Sequence, residues 1–109
     1  MKLLGKVALV TGATGQLGCQ FCQALVCEGA TVWVSDLDIN RCKKVVSHLS
    51  GSVPHYPLIL DVADPESVQN AFSKIKKVSG TLDILINNAG IAVFTPFEER
   101  TLDEFMNVF

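Results

Sequence analysis

Glycines at positions 12, 15 and 18 follow directly on the apolar run Val7 to Val10 and lead into a helical pattern. Strand, turn and helix is the order a phosphate-binding βα unit needs. With no Cβ at these positions, the backbone can turn tightly, approach a bulky anion closely and let the next helix pack on the strand. The helix that begins about Gly15 aims free N–H groups and the positive end of its dipole at the turn, where a pyrophosphate fits. This spacing is not GxGxxG, and glycine triplets also occur as plain tight turns. Its chemical meaning therefore depends on what accompanies it downstream.

The first companion is Asp36, which ends the run Thr31 to Ser35 and lies close to where an acidic residue takes the adenosine ribose hydroxyls, about 20 positions past the glycines. A carboxylate there accepts both hydroxyl protons and repels a 2′-phosphate, which favours NAD over NADP. The alternative role, capping the following helix, is assigned to Asp38. Asp61 and Asn87 end two further apolar runs. Gly12, Asp36, Asp61 and Asn87 thus mark the carboxyl ends of four strands, the rim where ligands bind in an open parallel sheet.

The remaining chemistry-bearing residues read as structural. Cys19 and Cys22 form a CxxC, but they fall inside the first helix, and neither Cys27, Cys42 nor the histidines supply the return pair that zinc requires. They read as reduced thiols, with no metal site. His48 and His55 flank a loop and read as solvated, as do Lys43 and Lys44.

These positions require alternating strands and helices. Leu17, Phe21, Ala24, Leu25 and Val26 form the apolar stripe of a first helix closed by Gly29, and TVWVS is a second strand. Asp38 caps a helix over 39–49, and Tyr56 to Leu60 is a third strand in which Pro57 points to an edge. Asp64 and Pro65 start a helix whose buried face is Val68, Phe72, Ile75 and Val78, ended by Gly80. LDILI, from Leu82 to Ile86, is a fourth strand with an open far edge, and Thr101 with Glu104 makes a capping box for one more helix. Such alternation predicts an α/β fold, a doubly wound parallel sheet in the order 3-2-1-4.

A chain of 109 residues, 49% hydrophobic and 18% charged, is long and apolar enough for one small core. The net charge of −2, without a basic run, argues against nucleic acid as a partner. No apolar stretch suits a membrane span or a signal peptide, so the expected location is cytoplasmic.

TGATGQLG, Asp36, Asp61 with Val62, NNAG at positions 87–90 and the later PFEERTLDEF run together resemble the short-chain dehydrogenases/reductases along essentially the whole chain. Gln16 stands where the commoner TGxxxGxG pattern has glycine; Gly15 matches the spacing of the extended subgroup, whereas NNAG resembles the other. The resemblance implies an NAD(P)-binding Rossmann fold. It also implies that Thr11 holds the turn, that Gly12, Gly15 and Gly18 form the pyrophosphate loop and that Leu17 supplies backbone contact. Asp36 would bind the adenosine ribose, and Asp61 with Val62 the adenine edge. Asn87, Ala89 and Gly90 would line the cofactor at the fourth strand.

The family's catalytic tyrosine and the lysine four residues on have no counterpart, since the only tyrosine, Tyr56, is followed four residues later by Leu60. The chain therefore reads as the cofactor-binding part of an NAD-dependent oxidoreductase acting on an alcohol or carbonyl. Its catalytic residues are expected beyond Phe109, and the resemblance implies a small-molecule substrate and a homo-oligomer for the full-length enzyme. The alternative reading is a non-catalytic nucleotide-binding or interaction module complete at 109 residues.

Overall fold

The computed structural model describes residues 2–87 and the backbone of residues 90–93. Ala89, the Thr101–Glu104 capping box and the helix expected after it lie outside the described residues. In chain order the elements are β1 (Val7–Val10), α1 (Gln16–Cys27), β2 (Thr31–Asp36), α2 (Ile39–His48), β3 (Tyr56–Ile59), α3 (Pro65–Ser79), β4 (Ile84–Asn87) and β5 (Gly90–Val93). Strands run in the order β3-β2-β1-β4-β5. The first four are parallel, in the expected 3-2-1-4 order.

The core divides along the two faces of the sheet because successive strand side chains point oppositely. Val7 and Leu9 join Trp33, Leu58 and Leu85 under the α3 side chains Val68, Ala71, Phe72 and Ile75. Ala8 and Val10 join Val32, Val34 and Ile86 under Cys22, Leu25 and Val26 of α1 and Cys42 of α2. With helices on both faces, the central strands have no polar side to show, and all four residues of β1 are buried. Pro57 is accommodated because β3 is an edge strand, pairing on one side with β2 opposite Val34.

Several local expectations are corrected. The far edge of the fourth strand is not open: β5 pairs antiparallel with β4, from Asn87 opposite Gly90 to Ile84 opposite Val93. Only two residues separate these strands, which permits an antiparallel return but no parallel crossover. Val78 is 49% exposed, and Ala71 takes its place in the buried face of α3. Leu17 and Ala24 are likewise exposed, because α1 turns Gly18, Cys22, Leu25 and Val26 to the sheet.

His55 is not a solvated loop residue. Its Nδ1 accepts the Val32 N–H at 3.0 Å, and the ring is half-buried. Burial lowers its pKa, against a weaker opposing effect of the Ser50 backbone. A folded value below the unfolded one means that the unfolded chain takes up the proton first, so this stability is fully present at high pH. It is lost progressively as pH falls from the unfolded value of about 6.5 through the lower folded one. The urea midpoint is accordingly expected to decline below that pH. His55→Asn, which keeps an acceptor but does not titrate, should flatten the decline. His55→Ala should cost about 1–3 kcal/mol by leaving the Val32 N–H unmatched; urea titrations of the three proteins across pH check this.

Candidate functional site

The end of β1 and the start of α1 approach each other very closely. Gly12 adopts φ +60°, a left-handed conformation that L side chains rarely adopt. A Cβ on Gly18 would lie 2.4 Å from the Gly12 carbonyl oxygen and 2.7 Å from the Ala13 Cα. Helix α1 therefore seats on the turn only with glycine at position 18. Gly15 differs: its backbone is extended, it is exposed, and an added Cβ would stand 3.5 Å from the Gly12 oxygen, an ordinary contact. Thr11, buried beside the turn, donates its N–H to the Ile86 carbonyl at 2.9 Å and ties the end of β1 to β4.

The three helices differ at their N-termini. Asp38 caps α2 by accepting from the Asn40 and Arg41 amides at 2.9 and 3.4 Å, and Asp64 caps α3 by accepting from the Glu66 amide at 3.0 Å. Helix α1 has Gly15 as its N-cap, with no side-chain cap and no acidic residue in its first turn. Its first intrahelical bond runs from the Cys19 N–H to the Gly15 carbonyl, so the Gln16, Leu17 and Gly18 amides lie ahead of any helical acceptor. An anion at this end satisfies donors that a carboxylate satisfies in the other two helices.

Asp36 stands beside this end, tied to the turn by a residue the sequence reading passed over. Its Oδ2 accepts from the Thr14 hydroxyl at 2.5 Å and the Thr14 N–H at 3.2 Å, and its Oδ1 accepts from the Leu37 N–H at 2.8 Å. Partial burial works to raise its pKa, but these hydrogen bonds, helped by the Arg41 charge, outweigh it and hold the carboxyl below its ordinary value. Asp36 is thus an anion that already organises the turn. Thr14 was legible as the polar residue between Gly12 and Gly15; its bond across to β2 was not.

Asp61 follows β3, exposed, with its Oδ1 accepting the Ala63 N–H at 3.0 Å. Val62 beside it is 37% exposed, and Leu37, next to Asp36 and missed in the sequence, is 65% exposed. Two apolar side chains therefore flank the carboxyl ends of neighbouring strands. Leu17, 56% exposed, lies in the first turn of α1. Asn87 is buried at the end of β4, and Gly90 pairs with it in β5.

The tyrosine sits apart from this rim chemistry, whereas Cys19 Sγ donates to the Ala13 carbonyl of the turn at 3.3 Å. Burial, aided by Cys19 and Cys42, pushes the Cys22 thiol up to about 12, which keeps it protonated. All four cysteines are free, and no group of metal-binding side chains occurs among the described residues. Tyr56 stacks on Trp33, ring centroids 4.5 Å apart, as part of the core.

A family model described as short chain dehydrogenase matches residues 6–109. The chain belongs to the short chain dehydrogenase family. It is 37% identical over 105 residues to the D-threitol dehydrogenase of Mycolicibacterium smegmatis, covering 95% of this chain and 40% of that protein. Among solved structures, the L-sorbose reductase of Gluconobacter frateurii, complexed with NADPH and L-sorbose, superposes with a TM-score of 0.75 at 30% identity, over 83% of this chain and 36% of the reductase. The 3-ketoacyl-(acyl-carrier-protein) reductase of Brucella melitensis, complexed with NADH, gives a TM-score of 0.69 at 29% identity, over 76% of this chain and 33% of that one. The chain thus spans well under half the length of these relatives. No helix among the described residues is long and apolar enough to cross a membrane.

The two helix-end glycines should separate by mutation. Gly18→Ala forces backbone apart and is expected to destabilise the fold by about 1–3 kcal/mol or more. Gly15→Ala, whose Cβ meets only an ordinary contact, should leave the thermal midpoint nearly unchanged. Thermal unfolding of both variants checks the contrast.

Proposed function

We propose that this chain is the dinucleotide-binding part of an NAD-dependent oxidoreductase that acts on an alcohol or carbonyl, with sugar alcohols and related polyols the favoured substrate class. The observation that carries the reading is the uncapped N-terminus of α1, seated by Gly18 on the Gly12 turn and flanked by the Asp36 carboxylate. The dehydrogenation of polyols is supported by the relatives, among them a D-threitol dehydrogenase and a galactitol 2-dehydrogenase.

In this reading the Gln16, Leu17 and Gly18 amides hold the pyrophosphate, and the bare Gly15 lets it come close to the backbone. Asp36 accepts the ribose hydroxyls, exchanging a hydrogen bond from Thr14 for one from the ligand. Its depressed pKa keeps it charged at neutral pH, so it opposes a 2′-phosphate. Leu37 and Val62 offer apolar walls for the adenine, and Asp61 faces its amino edge. Thr11 steadies the turn, Leu17 adds backbone contact, and Asn87, Ala89 and Gly90 line the cofactor beyond β4. When bound, the nicotinamide supplies the hydride acceptor or donor. Tyr56 is packed on Trp33 and takes no part in proton transfer in this proposal. The cytoplasm and a homo-oligomeric assembly fit the same reading.

Calorimetric titration with NAD and with NADP tests it. NAD should bind more tightly, and Asp36→Asn, which removes the charge but keeps an acceptor, should narrow the ratio about tenfold, the effect of roughly 1.4 kcal/mol. Gly15→Val should remove binding of both while the fold stays intact, because its side chain occupies the approach of the pyrophosphate. Equal affinity for the two dinucleotides would reject the role of Asp36; undiminished binding by Gly15→Val would show that the glycines form only a turn.

A further inference from the structure

A cavity of about 390 Å³ lies between α1 and α2, beside the glycine turn but lined by different chemistry. Cys19 and Gln23 of α1 form one wall, and Arg41, Lys44, Val45 and His48 of α2 form the other, with Thr14 and Leu49 completing it. No carboxylate belongs to this lining. Arg41, Lys44 and His48 recur at intervals of three and four residues, so they form one stripe along two turns of the helix, about 10 Å long. Val45 and Leu49, each half-buried, form a parallel apolar stripe.

The hydrogen bonds leave the two cations of this stripe, Arg41 and Lys44, lightly engaged. Arg41 makes one long contact, Nη2 to the Thr14 carbonyl at 3.5 Å, and among the described residues neither Arg41 nor Lys44 forms a salt bridge. His48 Nδ1 donates to the Lys44 carbonyl at 2.7 Å, so Nε2 of the neutral ring is an acceptor. The volume falls in the range of small-molecule sites, about 300–1,000 Å³. One inorganic ion would meet only part of a 10 Å stripe and none of the apolar wall.

We infer that this groove binds an elongated organic anion, with acidic groups toward both ends of an apolar body, at a place beside the Asp36 rim. Arg41 and Lys44 hold the acidic groups, Val45 and Leu49 cover the body, and Gln23, Thr14 and His48 supply polar contacts at the margin. The inference does not rest on dinucleotide binding, since Lys44, His48 and Gln23 take no part in that reading.

The probe is naphthalene-2,6-disulfonate, titrated calorimetrically into the intact chain alongside 2,6-dihydroxynaphthalene and inorganic phosphate. The disulfonate should bind more tightly than either. In Lys44→Gln/His48→Gln, both exposed positions whose change should leave the thermal midpoint unaltered, its affinity should fall about tenfold. Lys44→Arg should retain binding, and so should Gly15→Val, which blocks the glycine turn. Failure of the disulfonate to bind, or unchanged affinity in the double variant, would overturn the inference. Loss of binding in Gly15→Val would also overturn it, by placing the anion at the end of α1.

Discussion

The contact on which the rest of the structure depends is the approach of α1 to the turn that ends β1. Any side chain at position 18 would enter the backbone of Gly12 and Ala13, so the separation exists only because Gly18 has none. That separation lowers α1 onto the sheet, where Cys22, Leu25 and Val26 reach the small and β-branched residues Ala8, Ala30 and Val32. It also brings the uncapped end of the helix to the rim. Packing and chemistry share one steric condition.

Around this contact, polar side chains lock the central strands into register. Asp83 Oδ2 accepts the Val7 N–H at 2.8 Å, and Ser35 Oγ, fully buried, donates to the Val10 carbonyl at 2.7 Å. Thr14 and Asp36 add a bond from the turn to β2. Each satisfies a group at a strand end, where the backbone ladder is incomplete. Ser35 and the Thr14–Asp36 bond brace the rim from β2, the Thr11 N–H on the Ile86 carbonyl braces it from β4, and Asp83 holds the opposite, amino end of β1 before any ligand arrives. That bracing is what pre-organisation means for a site that must present backbone N–H groups at fixed positions.

Asp36 carries two demands at once. As part of the fold it holds Thr14; as a rim carboxylate it presents negative charge where a ribose is expected. The hydrogen bonds that stabilise its charged form serve both, since they hold the turn and keep the group ionised. Arg41 acts on Asp36 and touches the Thr14 carbonyl, so the groove between α1 and α2 borders the same network.

Sequence alone determined the order of elements from β1 to β4 and the residues at the rim. Those signals are local: an αL glycine, an aspartate followed by proline, and a β-branched run bounded by glycine each act within a few residues. Asp38, Asp64, Gly29 and Gly80 accordingly sit where their types require. Tertiary structure decided which side of each helix is buried, turning Val78 and Leu17 outward while Ala71 and Gly18 turn in. It gave His55 a backbone partner 23 positions away and Thr14 a carboxylate partner 22 positions away. It closed the edge of β4 with β5 and set Arg41, Lys44 and His48 opposite α1. Each of these depends on how far apart two separately formed elements come to rest, a distance fixed by packing across the sheet and carried by no single stretch of chain.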